Sequence, residues 1–268
     1  MKHKDSEIKA LSRRIHDHLQ VIYPEETNDE LTQHIIKIME FDDATEAVPS
    51  HQNLWNEKDI ITITYGDSIR KPDEAPLKTL NNFMHDYFLD TISIVHILPF
   101  YPFSSDDGFS VINYAEVNQG LGSWNDIETI ANNFALMADL VINHCSSRSL
   151  WFDNYKQCKD PGRDYFIEAE PTADLSAVVR PRNSPLLRET ETLEGTKHVW
   201  CTFSHDQVDL NFNNQKVLLE FVRIIKGYLD HGISLFRLDA VAFLWKKIGT
   251  PCINLPETHE LIRLLRLL

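Results

Sequence analysis

Two rhythms of apolar residues run along the chain. Near the N-terminus Ile8, Leu11, Ile15, Leu19 and Ile22 recur every three or four positions, the spacing of one helix face. Leu31, Ile35, Ile38 and Met39 repeat that spacing, and Thr27 with Glu30 just ahead of them has the pattern of a capping box. The acidic, proline-containing stretch 42–58 reads as a linker, so residues 1–58 are expected to form a helical N-terminal extension. From Asp59 the pattern becomes strand, then helix. Residues 59–65, DIITITY, are β-branched and apolar on both faces, as expected of a strand covered on both sides. A helix follows over 77–89, and TISIVHIL at 91–98 predicts a second buried strand. The next segment, 99–122, is rich in Gly, Pro, Asp and Tyr and reads as a loop outside the core. Ser123 predicts an N-cap for a helix through Phe134, and ADLVIN at 138–143 a third strand. Residues 144–208 show little periodicity, and so long an excursion is expected to be an inserted subdomain, about 145–208, over an active site. A strong helix at 213–230 is stopped by Gly232, and a fourth strand starts at Ile233.

Alternating strands and helices predict an α/β fold with a parallel sheet, either doubly wound or a (β/α)8 barrel. No GxGxxG or GxxxxGK[ST] follows any strand, which argues against a nucleotide site. Polar residues gather instead just after strand C-terminal ends, at 99–122, at Asn143 and His144, and at Asp239, which is how a barrel displays its catalytic rim. The fourth strand, ISLFRLDAVAFLWK at 233–246, carries Arg237 and Asp239 on the same face as Leu235. Spacing alone fits a structural ion pair and a chemically active pair equally well.

Charge and composition narrow the partners. A net charge of -14 argues against nucleic acid and against anionic membrane surfaces, because little here could neutralise a run of phosphates. No apolar run approaches the ~18 residues that span a bilayer, and MKHKDSEIKALSRR has no apolar signal-peptide core, so a cytoplasmic location is expected. Cys145, Cys158, Cys201 and Cys252 lack disulfide-framework or zinc-ligand spacing and read as reduced thiols.

DLVINH (139–144), VDLNF (208–212) and FRLDAV (236–241) resemble, in order, three signatures of glycoside hydrolase family 13, the α-amylase superfamily. HILPFYPFSSDDGFSVINY and RLDAVAFLWK are most similar to its sucrose phosphorylase branch, which includes sucrose 6'-phosphate and glucosylglycerate phosphorylases. The resemblance, from about Ile60 to Leu268, implies the first four units of a (β/α)8 barrel over 59–268. It implies Asp239 as a nucleophile forming a β-glucosyl intermediate, oriented by Arg237, whose guanidinium is expected to lower the carboxylate pKa. His144 and Asp106 resemble the residues that bond the hydroxyls of the reacting sugar, and Phe109 its aromatic wall. Phe203 and Gln207 resemble the pair lining the site where leaving group and phosphate exchange. Taken singly, each has a plainer reading: a satisfied histidine, a turn at DDG, two core phenylalanines. Asp139 and Asn143 are read as structural; the Asn region helps bind calcium in many amylases, but the phosphorylase branch typically lacks that site, so no metal is expected. Inorganic phosphate is the implied co-substrate and no cofactor is implied.

A retaining mechanism needs two carboxylates about 5 to 5.5 Å apart. The family places the acid/base Glu on strand five, whereas this chain stops at Leu268 inside what reads as helix four; Glu257, ahead of that helix, matches a non-catalytic family position. The expectation is a chain inactive alone, with open strand edges that self-associate or accept a partner carrying the other half of the barrel. A sugar-binding or assembly module, and a hydrolytic α-glucosidase relative, are the alternative readings.

Overall fold

The computed structural model describes residues 2–42 and 55–268, with side chains from residue 6 onward in the first segment. Most of the stretch read as a linker, 43–54, lies outside them. Helices α1 (Lys2–Ile22) and α2 (Asp29–Ile38) open the chain. The Thr27–Glu30 capping box does not form: Asn28 takes the N-cap position and makes no side-chain cap bond. Its amide donates instead to the Tyr23 carbonyl (3.1 Å), tying the cap to the preceding turn.

Strand β1 (Ile61–Thr64), helix α3 (Pro76–Phe88), strand β2 (Ile94–Ile97), helix α4 (Trp124–Ala131) and strand β3 (Ala135–Val141) follow. Ser123 and Asp126 form the capping box of α4, but the helix ends at Ala131 and β3 begins three residues before the expected position. The insertion is more regular than its sequence suggests. It holds β4 (His144–Ser146), α5 (Leu150–Lys156), the hairpin β5 (Leu187–Thr192) to β6 (Gly195–Trp200), and β7 (Gln207–Asp209), which pairs antiparallel with β4. Helix α6 (Gln215–Asp230), strand β8 (Ile233–Asp239) and helix α7 (Pro256–Leu265) complete the described elements. Gly232 turns α6 into β8 at φ +83°, a conformation that suits glycine best.

The four-stranded sheet is parallel throughout, in the order β1-β2-β3-β8, and open at both edges. Its helix-facing side buries Val95, Ile97, Leu136, Ala138 and Leu140. The other face is not covered along β1, contrary to the expectation of a strand buried on both sides: Ile61 is 47% and Ile63 63% exposed. An edge strand lacks one neighbour, so its apolar pattern cannot say whether both faces are covered.

Segment 99–122 also departs from expectation. Phe100, Tyr101, Val111, Tyr114 and Val117 are all buried. Tyr101 stacks on Tyr228 of α6 with centroids 5.3 Å apart, and Tyr114 meets Phe221 at 5.6 Å. The hydroxyls remain satisfied: Tyr101 donates to the Asp139 carbonyl (3.0 Å), and the Tyr114 hydroxyl shares its hydrogen between the carbonyls of Val141 and His144, each 2.8 Å away. Each such ring contributes about 1.5–3 kcal/mol of apolar burial, enough to hold a loop without regular structure. The same apolar core continues into α1 and α2 through Leu11, Ile15, Leu19 and Ile35. The Tyr23 hydroxyl bonds the Phe212 carbonyl (2.8 Å), and His18 meets Glu260 of α7 at 2.6 Å. All four cysteines are free thiols.

Candidate active site

Alternation along β8 brings Arg237 and Asp239 to the face opposite the helices, with Arg237 Nη1 3.2 Å from Asp239 Oδ1. The guanidinium has a second partner, Asp139 on β3, fully buried and directly paired with Arg237 Nη1. Register accounts for this, since Asp139 lies beside Arg237 across the β3-β8 ladder. His96 of β2 closes the row, its Nε2 2.8 Å from Asp139 Oδ2. Asp139, read from sequence as structural, thus shares one guanidinium with Asp239. Arg237 also lies over the Phe109 ring, 5.5 Å from its centroid.

The electrostatics of Asp239 differ from those expected from sequence. Burial pushes the Asp239 carboxyl above the usual carboxylate range, and the opposing attraction of His144 and Arg237 only partly offsets it. The expected lowering by Arg237 is present but outweighed.

His144, the first residue of β4, reaches the same place from the strand-three side. Its Nδ1 accepts from Asn143 Nδ2 at 3.2 Å, which leaves the proton of the neutral ring on Nε2, 3.0 Å from the Phe109 carbonyl. Burial, opposed by Asp209 and Asp239, holds its pKa below the ordinary histidine value, matching a neutral Nε2–H ring. Protonating Nδ1 would set donor against donor. Asn143 cannot turn to relieve this, because its Nδ2 also donates to Asp209 Oδ2 (3.1 Å) and its Oδ1 accepts from Lys246 Nζ (2.6 Å). Lys246 reaches Asp209 Oδ2 at 2.6 Å, and Thr202 donates to Asp209 through its backbone N (2.9 Å) and its hydroxyl (2.5 Å). Burial lowers the Lys246 pKa, with Asp209 pulling the other way.

The remaining predicted residues converge on His144. Gln207 of β7 donates its two amide hydrogens to Asp106 Oδ2 (2.8 Å) and to the Phe109 carbonyl (3.2 Å), so its Nε2, 3.2 Å from His144 Nε2, packs beside that nitrogen without bonding it. Phe203 packs on the His144 ring, centroids 5.2 Å apart, and on Phe243 at 5.4 Å. Asp106 and Asp107 adopt left-handed backbone, φ +57° and +50°, and lead into Gly108 at φ +106°. A Cβ at Gly108 would lie 2.8 Å from the Pro99 side chain, so only glycine fits that turn. Ala240, directly after Asp239, is likewise left-handed at φ +51°. Strained backbone on both sides of one carboxylate cluster is a recurring mark of functional sites.

All seven predicted residues thus gather around one spot at the C-terminal ends of β2, β3 and β8. Sequence reasoning missed His96, Lys246 and Asp209 as participants. The signal for Asp139 and His96 was the one used for Arg237, polar residues inside apolar strand runs. Asp209 carried the same signal within VDLNF, but its pairing with Lys246 spans the fold and has none. Glu257, set aside from sequence, stands in the first turn of α7.

A family model described as alpha amylase, catalytic domain, matches residues 86–264. Over 208 residues the chain is 50% identical to a glucosylglycerate phosphorylase of Spirochaeta thermophila, covering 78% of this chain and 35% of that protein. It is 48% identical over 213 residues to the Escherichia coli glucosylglycerate phosphorylase, covering 79% of this chain and 38% of the relative. The chain therefore spans little more than a third of the length of these relatives. The crystal structure of a sucrose 6F-phosphate phosphorylase from Thermoanaerobacter thermosaccharolyticum superposes with a TM-score of 0.72 at 32% identity, covering 79% of this chain and 46% of that one. Such neighbours are (β/α)8 barrels, of which the four-stranded open sheet described here forms a part. The chain belongs to the alpha-amylase family, glycoside hydrolase family 13, and the relatives it is most similar to here are glycoside phosphorylases.

Proposed function

We propose that this chain supplies the nucleophile side of a retaining glycoside phosphorylase, which transfers glucose from glucosylglycerate or a related α-glucoside to inorganic phosphate. One observation carries the reading: Asp239, Arg237, His144, Asp106, Phe109, Phe203 and Gln207 converge on one face of the sheet, in a chain half identical to glucosylglycerate phosphorylases. In this mechanism Asp239 attacks the anomeric carbon as the glycosidic C–O bond breaks and the leaving oxygen takes a proton from the general acid; phosphate then attacks the same carbon, giving α-glucose 1-phosphate and freeing the Asp239 carboxylate. Arg237 orients the carboxylate and offsets part of the cost of its burial. His144, in its neutral Nε2–H form, and Asp106 bond sugar hydroxyls, Phe109 packs on the ring, and Phe203 with Gln207 lines the exchange side.

In this mechanism the acid/base carboxylate comes from strands that join the sheet at its open β1 and β8 edges. The protein acts in the cytoplasm, where phosphate is abundant. Glucosylglycerate, sucrose and sucrose 6'-phosphate, each with phosphate, are to be assayed with this chain alone and with a chain carrying strands five to eight added. Glucose 1-phosphate is expected only from the combination, fastest from glucosylglycerate. Free glucose without phosphate dependence would point to hydrolysis, sugar binding without turnover to a binding module, and robust phosphorolysis by this chain alone would overturn the division of the site.

A further inference from the structure

Next to Gln207 stands a carboxylate that the proposed chemistry does not use. Asp206 Oδ2 accepts the hydroxyls of Ser104 (2.5 Å), Ser105 (2.5 Å) and Ser110 (3.0 Å), and Oδ1 accepts that of Ser147 (2.7 Å). The Ser110 hydroxyl is shared between Oδ2 and the Asp206 carbonyl (2.9 Å), which also accepts the Ser147 backbone N–H (2.8 Å). Ser146 extends the cluster through its hydroxyl, 2.6 Å from that of Ser104. No cation pairs with Asp206 within salt-bridge distance among the described residues. Four hydroxyls act as its solvation shell instead. Partial burial pushes the Asp206 carboxyl up, but the hydroxyl bonds outweigh it and hold the group below the ordinary carboxylate range, so it is ionised at neutral pH.

The donors come from two separate segments. Ser104, Ser105 and Ser110 bracket the left-handed turn that carries Asp106 and Phe109. Ser147 follows β4, which carries His144. Asp206 itself lies between Phe203 and Gln207. Two successive non-glycine residues in left-handed backbone persist only where the surroundings over-determine them, and the ring of serines on one anion supplies that constraint.

We infer that Asp206 is a positioning residue that clamps the Asp106–Phe109 turn to the Phe203–Gln207 segment, setting the spacing between the sugar side and the exchange side of the site. The clamp rests on geometry alone; only the names of the two sides rest on the functional reading above.

Hydrogen exchange on the 268-residue chain tests it, comparing wild type with Asp206→Ala and Asp206→Asn. Amides in 104–110 and 203–207 are expected to exchange about tenfold faster or more in Asp206→Ala and less so in Asp206→Asn, while β3 and α6 stay unchanged. Unchanged exchange in the turn, or equal acceleration across the whole chain in both variants, would overturn the assignment and leave Asp206 an ordinary stability residue. In an active assembly with the remaining strands, Asp206→Ala is expected to raise KM for glucoside and phosphate together by about tenfold. A purely structural role would leave both constants unchanged wherever the variant is folded. If no glucoside is phosphorolysed at all, the functional reading fails while the exchange result still decides the clamp.

Discussion

The two flanks of Asp239 are built in opposite ways. Toward the insertion, His144, Asn143, Asp209 and Lys246 are all buried, and every polar group in the chain from Lys246 to His144 has a fixed partner. Toward the β8 edge, a single guanidinium with its side chain 46% exposed is divided between Asp139 and Asp239. The first flank holds its geometry by leaving no group free to move, because an unpaired charge there would be costly. The second relies on one charge that water also reaches and screens. This contrast explains why burial, rather than the arginine, decides the Asp239 carboxyl.

The largest effect is expected on the closed flank. Lys246→Met strands the buried Asp209 carboxylate and should cost about 3–5 kcal/mol of unfolding free energy by denaturant titration. Adding Asp209→Leu to that variant should recover part of the loss, since replacing a whole buried pair costs less than breaking it. On the open flank Arg237→Leu should cost less, about 1–2 kcal/mol, because solvent already screens the guanidinium while Asp139 keeps its His96 bond. An Arg237 variant that destabilises more than Lys246→Met would break the comparison.

Asp239→Asn should act in the other direction. A carboxyl whose folded pKa is raised contributes stability below its unfolded value, about 3.9, and loses it as pH rises through the folded value. The variant is therefore expected to melt about 2–4 °C higher than wild type at pH 7, with the difference vanishing toward pH 3, by calorimetry across pH. The smallest effect belongs to His144. Its folded pKa is lowered, so it contributes stability above the unfolded value, about 6.5, which is lost as pH falls through the lowered folded value. His144→Gln should flatten the dependence of melting temperature on pH below about 6.5, leaving the slope above it unchanged.

Much of this was legible in the order of residues. The alternation of strand and helix, Ser123 as a cap, Gly232 as a stop, and the face shared by Arg237 and Asp239 all follow from local periodicity and φ preference, which a sequence carries without knowing its neighbours. Tyr101 and Tyr114 misled because a loop rich in turn residues is ordinarily exposed, whereas here ring stacking on α6 and carbonyl partners for both hydroxyls bury it. Thr27 misled because Asn28 sits one position later and bonds backward to Tyr23.

By itself, then, the chain determined its β/α plan, its family signatures and the pairing of Arg237 with Asp239, since each depends on residues a few positions apart. Only the tertiary structure decided that Asp139 shares that arginine, that Lys246 locks Asn143 and so the His144 tautomer, and that Asp206 gathers four serines. Those contacts join residues as many as 103 positions apart, and a buried charge takes its energy from whatever the fold places within hydrogen-bond reach, which no local pattern encodes.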